Sequence, residues 1–248
     1  MFFLLCHWYM GSDNKVYLSL GSNLGNRLFH LQRCIFELNE RLGQIFAMSA
    51  VYENAAVGFQ GGDFLNACIA LKTKHFPDKV LEEILQLERR MGRERLPNGA
   101  YTSRTLDIDM IYFNDEIIAE EHLTVPHPKL SERNFVLKPL ADIAPQHYHP
   151  VLKKDTRNLL QQSKDKNPLK KTGFQLFKSR RELFSQLHFL AIEGNIGAGK
   201  STLAKKIAGD FNAKLVLERF ADNPFLPKFY KDQTRYAFPL EMSFLADR

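Results

Sequence analysis

Residues 104–113 read Arg-Thr-Leu-Asp-Ile-Asp-Met-Ile-Tyr-Phe, and polar and apolar side chains alternate through most of this run. Alternation predicts a strand over Leu106–Phe113 with one face toward a core. Asp107 and Asp109 are two residues apart, so they share the opposite face. Two carboxylates in this position repel each other unless a cation lies between them or one is protonated. The pair therefore indicates either an exposed acidic strand or a site for a hard divalent cation such as Mg²⁺. The residues predicted to face the core are Leu106, Ile108, Met110 and Tyr112.

Further elements are predicted on the N-terminal side of this strand. The order along the chain is strand, helix, strand, strand, helix, strand, which favours an α+β fold with a ferredoxin-like βαββαβ-type core and a mixed or antiparallel sheet. The predicted strands are Lys15–Leu20, Ile45–Tyr52 and Phe64–Leu71, and the predicted helices are Leu28–Leu42 and one opened by Pro77.

Cationic side chains surround the acidic strand in the sequence. Arg93, Arg95 and Arg104 lie in or beside the loop that enters it, and His127 and Arg133 follow it. Arginine offers forked donors that suit phosphate oxygens. Two acids and this set of bases together predict a site for a metal ion and a polyphosphate.

Several separated motifs resemble the 6-hydroxymethyl-7,8-dihydropterin pyrophosphokinase family of folate biosynthesis. The Arg104–Ile111 run is similar to the signature of that family, and the resemblance extends over roughly residues 15–150. The other motifs that carry it are Leu18–Gly25, Asp63–Ala67, Leu87–Glu88 with Gly92–Arg93, Leu123–Pro128 and Arg133–Val136.

The resemblance implies a reaction and a set of residue roles. The pterin hydroxymethyl oxygen would attack the β-phosphorus of ATP and AMP would leave, with two Mg²⁺ ions held by Asp107 and Asp109. The implied catalytic residues are these two aspartates with Arg93 and Arg95. The residues implied to contact ATP are Glu88, Arg93, Arg95, Arg104, Thr124, His127 and Arg133. The residues implied to line the pterin slot are Val57, Phe64, Asn66 and Phe135.

A second pattern begins near residue 188. Gly194-Asn-Ile-Gly-Ala-Gly-Lys-Ser matches the phosphate-binding loop G-x-x-x-x-G-K-[ST]. Such loops bind phosphate through backbone N–H groups and a helix N-terminus. Strands are predicted at Phe189–Ile192 and Leu215–Leu217, with a helix between them. The predicted phosphate-binding residues are Gly194, Gly197, Gly199, Lys200 and Ser201.

The second pattern resembles the start of a deoxynucleoside kinase, carried by Ile192–Thr202, Leu217–Arg219 and Asn223–Tyr230. By that resemblance Glu218 would be a base near the sugar 5′-hydroxyl. We expect an incomplete, truncated P-loop α/β segment and no nucleoside kinase activity from these 248 residues. Two alternatives stay open: nucleoside phosphorylation by a longer natural protein, and a non-catalytic module that binds nucleotide or nucleic acid.

The net charge of +6 is concentrated between residues 151 and 187, where ten basic residues face three acidic ones. This segment predicts a basic linker; its few aromatic residues disfavour nucleic acid as a partner. We therefore expect an N-terminal extension at 1–14, a pterin pyrophosphokinase domain at 15–150, the linker at 151–187 and the kinase-like segment at 188–248. Three cysteines without metal-ligand spacing and the absence of a long apolar run indicate a cytoplasmic protein that does not contact a membrane. The sequence does not reveal the oligomeric state.

Overall fold

The computed structural model describes residues 13–93, 102–195, 197–217 and 223–246. The chain divides into two compact units, Met1–Leu183 and Phe184–Arg248. In the described residues no helix is long and apolar enough to cross a membrane. The strands of the first unit are β1 (Asn14–Ser22), β2 (Ile45–Met48), β3 (Tyr52–Asn54), β4 (Phe64–Thr73), β5 (Asp107–Phe113), β6 (Ile118–Ala119), β7 (Thr124–Val125), β8 (Tyr148–His149), β9 (Lys154–Asp155) and β10 (Lys170–Lys171). Its helices are α1 (Arg27–Arg41), α2 (Pro77–Arg90), a 3₁₀ turn at Leu130–Glu132, α3 (Asn134–Ile143) and α4 (Thr156–Gln162), and α5 (Arg180–Ser185) spans the boundary.

An antiparallel sheet forms the centre of the first unit. β1 lies between β4 and β5, while β2 and β3 pair with successive parts of the other edge of β4. Gly21 of β1 is the register partner of Asp107 on one side and Asn66 on the other. The α+β fold with an antiparallel sheet is therefore confirmed. The strand predicted over Ile45–Tyr52 is divided into β2 and β3, and the other strands and helices predicted for residues 15–113 are present.

Helices cover both faces of the sheet. α1 and α2 pack on one face, where Leu31, Ile35, Ile84 and Leu87 join the apolar residues of β1, β4 and β5. α3 and α4 pack on the other face against a smaller cluster that contains Ile111 and Tyr112. The prediction that Tyr112 shares a face with Ile108 is wrong. The register of β5 against β1 shifts between Met110 and Tyr112, and such a bulge sends the following residues to the opposite faces.

The predicted linker at 151–187 is in large part folded onto the first unit. It carries β9, α4 and β10, and β10 pairs with β3 through Lys170↔Glu53 and Lys171↔Tyr52. Gln32 of α1 exchanges two hydrogen bonds with the backbone of Phe177, at 2.7 and 2.8 Å. The lysines of β10 are exposed to solvent. In the sequence, charged residues on a short edge strand look the same as those of a solvated linker, which is why this segment was predicted to be one.

The second unit is helical in its described residues. It contains α6 (Lys200–Phe211), α7 (Leu226–Phe229) and α8 (Gln233–Ala246). The strands predicted at Phe189–Ile192 and Leu215–Leu217 do not form; these residues have no regular secondary structure and are mostly exposed. A strand needs a hydrogen-bonded neighbour, and no strand of this unit lies among the described residues to provide one. The described residues of this unit therefore do not confirm the expected P-loop α/β architecture, apart from the helix at Lys200.

Candidate active site

Asp107 and Asp109 lie on the face of β5 that α3 covers, opposite Gly21 and Ser19 of β1. The prediction that they share one side of the strand is correct. Burial, and next the charge of Asp107, raise the pKa of the Asp109 carboxyl above its ordinary value, although His127 and Arg133 act in the other direction. The two carboxylates repel each other and are only partly exposed to solvent. Such a pair of oxygen donors suits a hard divalent cation.

Three arginines balance the two carboxylates. Arg93 Nη1 lies 2.5 Å from Asp107 Oδ1, and Arg104 Nη1 donates to Asp107 Oδ2 at 2.9 Å. Arg133 Nη1 donates to Asp109 Oδ2 at 3.2 Å. All three guanidinium groups are largely buried. Cations held this way beside an acidic pair can turn toward phosphate oxygens when a polyphosphate enters.

Glu88 lies behind the site. It is 1% exposed, accepts a hydrogen bond from the backbone N–H of Ile108 at 2.9 Å and forms an ion pair with Arg93. Glu88 therefore holds both Arg93 and the strand that bears the aspartates. Its carboxylate is used inside the protein, so a direct contact with ATP, as the resemblance implies, does not follow from this geometry.

His127 and Thr124 differ in their placement. His127 Nε2 lies 3.9 Å from Asp109 Oδ2, and its Nδ1 accepts a hydrogen bond from the N–H of Lys129 at 3.2 Å. Burial lowers the pKa of His127, which favours the neutral ring. Thr124 is exposed on β7, where it pairs with Ala119. Thr124 is not among the residues that line the cavity around the aspartates.

One cavity of about 380 Å³ brings the two halves of the predicted site together. Asn66 donates from Nδ2 to Asn54 Oδ1 at 2.6 Å, which fixes its amide in the cavity lining. The Arg104 guanidinium lies 5.7 Å from the Phe64 ring centroid, and that of Arg133 lies 5.7 Å from the Phe135 ring centroid. Each aromatic ring is thus linked to an arginine that touches an aspartate. The predicted residues that line this cavity are Val57, Phe64, Asn66, Arg104, Asp107, Asp109, Arg133 and Phe135.

A known protein family matches the part of the chain that builds this site. A family model described as "7,8-dihydro-6-hydroxymethylpterin-pyrophosphokinase (HPPK)" matches residues 17–145, just over half of the chain. The chain belongs to the HPPK family. The match covers β2 to β5, nearly all of β1, helices α1 to α3 and both aspartates of the candidate site.

Individual relatives agree with this HPPK assignment. One relative is the 2-amino-4-hydroxy-6-hydroxymethyldihydropteridine pyrophosphokinase of Aquifex aeolicus. The chain is 40% identical to it over 157 residues, and the match covers 62% of this chain and 93% of that protein. The chain is 43% identical over 132 residues to the protein of that name in Helicobacter pylori, covering 52% of this chain and 80% of that one. Among solved structures, Plasmodium falciparum HPPK-DHPS has the same fold, with a TM-score of 0.52 at 18% identity, covering 61% of this chain and 44% of that one.

A second family model, described as "Deoxynucleoside kinase", matches residues 190–248. In this region Gly194, Gly197 and Gly199 all have positive φ, of 152°, 80° and 81°. Lys200 Nζ donates to the carbonyl oxygens of Gly194 and Asn195 at 2.7 and 2.8 Å, which folds the loop over the start of α6. Ser201 follows on the exposed first turn of this helix.

Two predicted residues lie outside the described residues, namely Arg95 and Glu218. Other residues line the cavity although the sequence did not predict them. Gly21 had a signal, since it follows a predicted strand, whereas Asp165 and Asn167 sit in a lysine-rich stretch that gave none. The cavity residues missed are Ser19, Gly21, Asn54, Gly58, Phe59, Lys129, Glu132, Asp165 and Asn167.

Proposed function

We propose that the first unit transfers the pyrophosphoryl group of ATP to 6-hydroxymethyl-7,8-dihydropterin and releases AMP. The observation that carries this proposal is the single cavity in which a carboxylate pair and its arginines adjoin Phe64, Asn66 and Phe135. This arrangement can place a triphosphate and a flat polar heterocycle side by side. Family membership supports the same reaction.

The phosphate side of the cavity fits magnesium. Asp107 and Asp109 would hold two Mg²⁺ ions, because their oxygens are hard donors and the repulsion between them is only partly offset by arginine. Bound Mg²⁺ neutralises charge on phosphate oxygens and orients the triphosphate. When Asp107 and Asp109 bind Mg²⁺, the arginines that pair with them would become free to bind phosphate oxygens. These are Arg93, Arg104 and Arg133, and Arg95 would join them.

The pterin side of the cavity orients the acceptor. Phe64 and Phe135 offer ring faces and edges for a flat heterocycle. Asn66 offers an amide oxygen, since its Nδ2 is committed to Asn54. Val57 supplies an apolar edge. Held this way, the hydroxymethyl oxygen attacks the β-phosphorus, the bond from that phosphorus to the bridging oxygen of AMP breaks, and the hydroxyl proton leaves to solvent. Alignment of the reacting atoms supplies much of the rate.

The second unit has a separate proposed role. Gly194, Gly197, Gly199, Lys200 and Ser201 would bind phosphate, as their loop geometry and the start of α6 suggest. We do not assign nucleoside phosphorylation to it, because its described residues lack the strands that position such a loop. We place the reaction of the first unit in the cytoplasm, in keeping with the two buried free thiols Cys34 and Cys68.

The test is release of AMP from ATP in the presence of Mg²⁺ and 6-hydroxymethyl-7,8-dihydropterin. We expect the wild-type chain to be active and the double variant D107A/D109A to be inactive. K200A is the control and should leave AMP release intact, since Lys200 belongs to the second unit and its described hydrogen bonds go to Gly194 and Asn195. AMP release by D107A/D109A at the wild-type rate would overturn the proposal.

A further inference from the structure

Asp165 is joined to Asn134 by two hydrogen bonds. Its Oδ2 accepts from the backbone N–H of Asn134 at 2.9 Å, and its backbone carbonyl accepts from Asn134 Nδ2 at 2.6 Å. Asn134 is the first residue of α3, and no side chain of the helix itself caps that end. A carboxylate at this position satisfies an N–H without a helical partner and interacts favourably with the positive end of the helix.

The first turn of α3 carries a residue of the cavity on each side of Asn134. Arg133 precedes it and is also held by Asp109 at 3.2 Å. Phe135 follows it, and its ring lines the cavity on the proposed pterin side. The Arg133 guanidinium is therefore held directly by Asp109. The Phe135 ring packs against the smaller core cluster, and its backbone lies in the first turn of α3, whose start is fixed by Asp165.

The chain around Asp165 is itself fixed. Asp165 Oδ1 accepts from both the backbone and the side-chain nitrogen of Asn167, at 2.9 and 2.7 Å. A few residues later β10 pairs with β3, and the N–H and hydroxyl of Thr172 both donate to the carbonyl of Val51. The segment that follows Asp165 is thus held on β3, the strand that ends at Asn54, and Asn54 also lines the cavity.

We propose that Asp165 is a positioning residue for the pterin: it fixes the start of α3 and, through it, the ring of Phe135. This inference rests on the proposed function and adds a residue beyond the 17–145 match to the HPPK family. Residues 163–172 therefore supply part of the cavity wall as well as an edge strand of the sheet.

The test compares Asp165→Ala with Asp155→Ala. Asp155 caps α4 by accepting from the Asn158 N–H at 2.7 Å, and it does not line the cavity. Both variants lose one helix cap, and D165A also loses the two hydrogen bonds from Asn167, so D165A should lose at least as much thermal stability as D155A. We expect only D165A to raise the KM for the pterin, by about fivefold, while the KM for ATP changes by less than about twofold, because cap losses are of this size. D165N keeps an acceptor oxygen and should restore the pterin KM.

A second variant covers the case in which D165A does not fold. Asn134→Pro removes both donors to Asp165, yet proline is favoured at the first position of a helix. N134P should raise the pterin KM in the same way. The proposal is overturned if neither D165A nor N134P raises the pterin KM relative to D155A, or if D165N behaves like D165A. Failure of the proposed function would look different, since the wild-type chain itself would then release no AMP.

Discussion

Asn66 and Asp107 lie on opposite sides of Gly21, each as its direct register partner in the sheet. The proposed pterin-binding amide and the proposed metal-binding carboxylate are therefore separated by one residue that has no side chain. A Cβ at Gly21 would lie 3.3 Å from Asn66 Oδ1, 3.5 Å from the Phe64 ring and 3.8 Å from Asp107 Cβ. On the proposed assignment, the absence of a side chain there leaves room for the two substrates to meet.

Gly21→Ala should weaken pterin binding without unfolding the protein. The new methyl group would displace the Asn66 amide by a few tenths of an ångström, and we expect the Kd for the pterin to rise about fivefold, the effect of about 1 kcal/mol. Calorimetric titration of the pterin would measure it. Gly173→Ala is the control, since a Cβ there meets nothing within 4 Å. Equal pterin affinity in G21A and G173A would contradict this account of Gly21.

Asp109→Asn should remove activity while leaving stability intact or improved. The raised pKa of Asp109 means that its ionised form is disfavoured in the folded state, so this charge costs stability at pH values above that pKa. Asparagine removes the charge and can still accept from Arg133. We expect AMP release to fall by about a hundredfold or more and the melting temperature to stay the same or rise. A clear drop in the melting temperature of D109N would show that the ionised carboxylate stabilises the fold.

Glu88→Gln should destabilise the protein and weaken its use of ATP. Glutamine can still accept from the Ile108 N–H, but the ion pair with Arg93 is lost inside the protein. We expect the free energy of unfolding to fall by about 1–3 kcal/mol, measured in urea, and kcat/KM for ATP to fall. Glu82→Gln is the matched control on the same helix, because Glu82 pairs with Lys79 at the surface and such pairs contribute about 0–1 kcal/mol. The prediction is wrong if both variants lose the same stability.

Stability should decrease as the pH falls below the ordinary histidine range. Burial lowers the pKa of His127, His147 and His149 in the folded state. Between the unfolded value of about 6.5 and these lower values, the unfolded chain binds more protons, so acid favours unfolding. Urea midpoints measured between about pH 7.5 and about pH 5.5 should show this decline.

His147→Phe isolates one of these groups. His147 Nε2 is buried without a hydrogen-bond partner among the described residues, and its ring centroid lies 4.1 Å from that of Tyr112 with the rings tilted by 50°, so phenylalanine should fit with little loss. H147F should lose less stability than the wild type over the same pH interval. His122→Gln should have the opposite effect, because Asp78 raises the pKa of His122 and that contribution is present only at the acidic end. An unchanged pH dependence in H147F would exclude His147 as a contributor.

The sequence predicted the first unit well because its signals are local. Alternation over Leu106–Phe113 placed Asp107 and Asp109 on one face, and separated motifs placed Phe64 and Phe135 in one cavity. The side chain of Tyr112 was assigned to the wrong face, since a bulge depends on how β5 pairs with β1 and leaves no mark in β5 alone.

The parts that could not be predicted depend on contacts between distant residues. Asp165 and Asn167 reach the cavity because β10 joins β3, more than a hundred residues earlier in the chain. Nothing near Lys164 or Lys166 indicates that pairing. The apolar run Phe189–Ile192 shows the converse case, because local apolar pattern predicted a strand where no described partner is present.

The pairing of β10 with β3 bears on how this enzyme unit is best produced in isolation. A fragment that stops near Pro150 would leave the backbone hydrogen-bonding groups of Tyr52 and Glu53 unpaired at the sheet edge. Such an exposed edge promotes aggregation by strand pairing between molecules. This fragment would also remove the Leu176 side chain from the core. A fragment that extends through Leu183 retains both, so the practical C-terminal boundary for expression lies more than thirty residues beyond the last motif that identifies the family.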